Sequence, residues 1–161
     1  MNPSQTSFLV MIVGLLTAVF MIAYNRPGWK KASAAVFTGL VVGLVNMAVE
    51  SYAYEHKLYN VYGLLPIGHS SLALTIGWVS LTACFALGSE SLRKSSRPGL
   101  ALAIYIVAGI IAGIVSDYLG QIATYHFRMG PNGNWLHIYL IWGAFVPAAM
   151  IIYKVVLKVL G

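Results

Sequence analysis

The chain has 161 residues, 59% hydrophobic and 9% charged, with a formal net charge of +6. Water-soluble domains carry about 25% charged residues, so a single water-facing globule is excluded. An integral, multi-pass membrane protein is implied, in the plasma or inner membrane if the source is prokaryotic. The basic residues stand in short clusters between apolar runs, which is a membrane-topology pattern and not a nucleic-acid stripe.

Five apolar runs, at about 6–24, 32–54, 66–89, 99–125 and 135–159, reach the ~20 residues that cross a bilayer. They form one transmembrane domain over residues 1–161. No basic residue precedes the first run, so it reads as a retained span and not as a cleaved signal peptide. The second carries Gly39-x-x-x-Gly43 and then Asn46, Glu50 and Tyr54, four residues apart on one helical face. The third opens at Pro66, with His69 expected about one turn inside and Trp78 deeper. The fourth repeats the pattern: Gly109-x-x-x-Gly113, then Asp117, Gln121 and Tyr125. A turn cluster, Gly130-Pro131-Asn132-Gly133-Asn134, precedes the fifth, which brings His137 and Trp142. Cys84 is the single cysteine, which rules out an intrachain disulfide.

Arg26, Lys30 and Lys31 fill the first connection, Arg93, Lys94 and Arg97 the third, and Lys154 and Lys158 the C-terminal end. The positive-inside rule then puts the N-terminus outside and the C-terminus in the cytoplasm of an all-α five-helix bundle. Spans 2–3 and 4–5 read as a parallel two-helix repeat, weighed evenly against chance similarity. The GxxxG pairs predict close helix packing and leave a homodimer open.

With that orientation, Glu50, His69, Asp117 and His137 all fall in the outer leaflet. Ionisable residues in a span face protein or a water-filled cavity and are functional-site candidates. Burial disfavours the charged form of a carboxyl, and a neighbouring carboxylate does so further. Paired acids therefore suit proton transfer to an apolar substrate. The expected site has Glu50 and Asp117 as acid and base, and His69 and His137 tuning them. Asn46, Tyr54, Gln121 and Tyr125 would hydrogen-bond around them, and Trp78 and Trp142 would form aromatic walls.

Glu50, followed by Leu58-Tyr59-Asn60-Val61-Tyr62-Gly63, Pro66 and Ile76-Gly77-Trp78, resembles small membrane proteins of carotenoid and terpenoid biosynthesis. These are the carotenoid hydratase-type family and the membrane-bound terpene cyclases. Asp117, with Asn134-Trp135 and Trp142, looks like the second half of that pattern. The resemblance implies an isoprenoid substrate undergoing cyclisation, hydration or isomerisation at an intramembrane Glu/Asp pair, with no cofactor. Two other readings stay open. One is a small transporter or channel for ions, protons or a small solute. The other is a haem or divalent-metal site built on the histidines.

Overall fold

The computed structural model describes residues 2–161. Five helices are long and apolar enough to cross a membrane, and the protein is an all-α, multi-pass membrane bundle. They are α1 (Pro3–Asn25), α2 (Trp29–Glu55), α3 (Leu72–Ser91), α4 (Pro98–Leu119) and α5 (Trp135–Val159). Four of the five start where the sequence supplies a helix-opening device. Asn2 caps α1 in a reciprocal box with Gln5, Ser71 caps α3, Pro98 opens α4, and Asn134 caps α5 in a box with His137.

The central element is α3, which packs between α1 and α2 and also touches α5. Glycine makes these approaches possible. A Cβ on Gly77 of α3 would stand 2.7 Å from Val10 Cγ1 and 2.9 Å from the Val10 carbonyl oxygen of α1. Gly39 and Gly43 of α2 lie directly against Val79 of α3. The GxxxG of α2 thus marks a close helix contact inside the chain, as expected. That of α4 does something else: Gly109 and Gly113 make room for the rings of Phe85 and Trp142.

The basic connections meet at one end. Glu90 accepts from Lys31 at 2.8 Å and from Arg93 at 3.1 Å, and Lys30 donates to the Gly161 carbonyl. Ala34, Ala35, Ala83, Ala86, Leu87, Met150 and Tyr153 form a tight apolar core just beyond. At the opposite end the two long connections form short strands. β1 (Tyr59–Val61), after α2, pairs antiparallel with β4 (Phe127–Met129), after α4, with Asn60 opposite Arg128. The Gly-Pro-Asn-Gly turn closes over this pair: Gly130 N donates to Leu58 O at 2.8 Å and Asn132 N to Lys57 O at 3.1 Å. The two outer connections are therefore matched, yet the packing beneath them is not. α2 runs along α5, whereas α4 barely touches α3.

Two boundaries depart from expectation. The third span begins at Leu72, not at 66, because β2 (Pro66–Ile67) and β3 (Ser70–Ser71) form a hairpin closed by Gly68 and His69. Gly68 has φ +60°, the positive value that a glycine at the first central position of a two-residue hairpin supplies. The fourth span does not end as an α-helix. Gly120–Thr124 widens into a π-turn and Tyr125 takes a left-handed φ of 55°. A π-turn advances the helix face, so the Asp117, Gln121, Tyr125 stripe is broken there.

Candidate functional site

Between the apolar core and the β1–β4 cap lies a cavity of about 450 Å³, walled by α2, α3, α4 and α5. α1 contributes nothing to its lining. Apart from Thr82, its polar groups sit towards the capped end, and its floor is largely apolar, ending at Phe85, Val146 and Ala149.

Glu50 is the most enclosed acid, with 7% of its surface exposed. Its Oε1 accepts from Asn46 Nδ2 at 2.7 Å, one helical turn earlier, and its Oε2 accepts from the Ser70 hydroxyl. The hairpin thus delivers a serine to a carboxyl on α2. Asp117 approaches from α4, where its Oδ2 accepts from the Trp142 indole N–H of α5 at 2.6 Å. That geometry depends on Gly113, because a Cβ there would fall inside the Trp142 indole. Trp142 in turn faces Trp78 of α3, with ring centroids 5.3 Å apart and planes tilted by 60°. Tyr59 of the cap closes the site and is buried (5% exposed). Burial, and then the Glu50 and Asp117 carboxylates, push its phenol well above the ordinary range. Among the described residues the ion pairs are those of Glu90, so Glu50 and Asp117 have no cationic partner.

Of the ten residues singled out in the sequence, Glu50, Asp117, Asn46, Trp78 and Trp142 line one cavity. The other five expected residues do not. His69 is exposed at the hairpin tip and stacks on Tyr54, also exposed, at 3.8 Å. A hairpin in place of the first helical turn moves this imidazole from the bundle to the surface. His137 is spent on helix capping, its Nδ1 accepting from Asn134 N at 3.2 Å. Tyr125, displaced by the π-turn, joins Tyr62 beside the Arg128 guanidinium. Gln121 lies outside the lining, with a buried Oε1 that has no hydrogen-bond partner. No group of three His, Cys, Asp or Glu among the described residues is placed to hold a metal.

Ser70, Tyr59, Ser116 and Phe127 were missed. Tyr59 and Val61 face the cavity while Asn60 between them does not, a period of two that the β-forming run Tyr59-Asn60-Val61-Tyr62 carries in sequence. Nothing in the spacing of Ser70 signals its bond to Glu50.

Among known proteins, no family model and no solved structure matches the chain. It is similar to sugar transporters. The high-affinity glucose transporter ght5 of Schizosaccharomyces pombe is 23% identical over 135 residues, covering 83% of this chain and 24% of that protein. The probable high-affinity hexose transporter ght8, mitochondrial, of the same yeast is 24% identical over 131 residues, covering 81% and 23%. The chain spans about a quarter of the length of these curated relatives. These relatives overturn the resemblance to carotenoid and terpenoid biosynthesis, and with it the isoprenoid cyclase, hydratase or isomerase expected from the paired acids. Two carboxyls converging on a cavity are as much a solute-binding pattern as an acid/base pair, and the sequence alone carries no sign of which.

Proposed function

We propose that the chain is a solute-binding transport protein of the membrane, or a segment of one, and that the cavity between α2 and α5 is its solute site. One observation carries this: Glu50 and Asp117, on separate helices, are brought with Asn46, Trp78 and Trp142 around a single cavity. Pockets of about 300–1,000 Å³ with a few convergent polar groups are the usual form of a small-molecule site. Ionisable residues buried in a bundle mark substrate and ion paths. The transporters to which the chain is similar add the direction of the reading, and their printed names make hexoses the first solutes to test.

The cavity stops at the apolar core of the basic end. Translocation through this chain therefore requires that core to part, which a transporter achieves by rocking its helices around a fixed site. The test is uptake of radiolabelled D-glucose into proteoliposomes, with L-glucose as the control. Saturable uptake of D-glucose that falls ~10-fold in Asp117→Asn, about the worth of one hydrogen bond to a charged group, supports the reading. Failure of the wild-type protein to take up or bind D-glucose or any other small solute overturns it.

A further inference from the structure

The cavity wall has an uneven chemistry. Two carboxyls reach it, and none of the lysine, arginine or histidine side chains does. The donors nearest the acids are engaged on them: Asn46 Nδ2 and the Ser70 hydroxyl on Glu50, and the Trp142 N–H on Asp117. For Asp117 this indole is the one donor among the described residues, which leaves its Oδ1 free to accept. The only ionisable charge the lining offers a ligand at neutral pH is therefore negative, alongside the neutral hydroxyls of Tyr59, Thr82 and Ser116. A carboxylate in an apolar surround must be neutralised, by a proton or by a partner cation.

The remaining surface is aromatic. Trp78 and Trp142, tilted at 60°, form an aromatic corner next to the Asp117 carboxyl. Aromatic faces attract a cation held within about 6 Å of the ring, most strongly when water is excluded. Below the corner the floor is largely apolar, suited to a hydrocarbon body.

Building on the reading of this cavity as a solute site, we infer that it binds organic monocations, a positive nitrogen or phosphorus centre carrying an aryl or alkyl group. The charged centre sits between Asp117, Glu50 and the two indoles, and the apolar body points to Phe85. This solute class lies beyond the one in the relatives' names.

The test is isothermal titration calorimetry of benzyltrimethylammonium and, separately, D-glucose into the protein in zwitterionic-lipid nanodiscs near neutral pH. Empty nanodiscs are subtracted. The expected result is saturable binding of the cation that weakens at least ~10-fold in both Glu50→Gln and Asp117→Asn, because each removes a charge. Asp117→Asn keeps an oxygen for the Trp142 N–H, and Glu50→Gln keeps an oxygen for Asn46 and turns its amide NH2 to the Ser70 hydroxyl oxygen. Circular dichroism and gel filtration check that the variants fold. Trp78→Leu adds a variant outside the hydrogen-bond network, with an expected loss of ~3- to 5-fold from cation–π attraction. Cation affinity unchanged by all three substitutions overturns the inference. Binding of D-glucose without binding of the cation also overturns it, and leaves the transport reading standing. If neither ligand binds, the inference falls, and the transport reading stands or falls by the uptake assay.

Discussion

Gly113 shows how a single hydrogen atom in place of a side chain organises the cavity. Its missing Cβ is the space that the Trp142 indole occupies, and the indole is what holds Asp117. Gly113→Ala forces the indole aside, and overpacking of this kind costs about 1–3 kcal/mol. The expected outcome is a lower unfolding temperature in detergent together with weakened solute binding. An unchanged melting point and affinity would show that Trp142 is free to move. His126 gives a pH prediction. It is buried behind the π-turn, its Nδ1 lies 2.6 Å from Thr124 Oγ1, and burial lowers its imidazole below the ordinary value of 6.5. Below pH ~6.5 the unfolded chain takes up a proton there that the folded one refuses, so stability falls as the pH drops. Denaturation between about pH 7.5 and 5.5 should show this loss in the wild type and a smaller one in His126→Gln. Among individual residues, Glu50, Asp117 and the tryptophans were legible because a bilayer makes polar groups conspicuous. His69 and His137 were equally conspicuous, yet one is on the surface and the other caps a helix. Depth along a span is readable from sequence, but which way a side chain turns is not.

The five helices were legible as elements because each is a long apolar run, and the expected bounds of α5 match those observed. The short structures between them were not. A hairpin of two-residue strands holds too few residues to show a period, and Pro66 reads equally as a helix opener. At the π-turn the need for glycine is visible only in three dimensions: a Cβ at Gly120 would stand 2.7 Å from His126 Cε1. The hairpin yields its own prediction. Space around Gly68 is open, so Gly68→Ala meets no clash and its cost is that of the positive φ alone, about 1–3 kcal/mol. It should loosen Ser70 from Glu50 and weaken solute binding in the same direction as Ser70→Ala. Wild-type affinity in both variants would show that the Ser70 bond has no part in the site.

For the whole molecule, the basic connections gather at one end through Glu90, and the cavity with its strand cap lies at the other. The positive-inside rule makes the first end cytoplasmic. Cys84 is buried, so the wild-type chain is close to a silent background for cysteine labelling. In intact cells a membrane-impermeant maleimide should modify Asn132→Cys at the cap, and Ser95→Cys only after permeabilisation. The reverse pattern would invert the bundle. Isoprenoid chemistry was expected from the paired acids and the resemblance, and Glu50 and Asp117 do line one cavity. That arrangement fits a solute site just as well, and the similarity to sugar transporters favours that use. The most direct measurement of it is the fluorescence of Trp78 and Trp142 in a Trp29→Phe, Trp135→Phe background, titrated with a transported solute. A saturable change in emission that follows the solute's concentration dependence for transport, and that disappears in Asp117→Ala, is the expected result. Emission that stays constant while the solute is transported would contradict the assignment of the cavity.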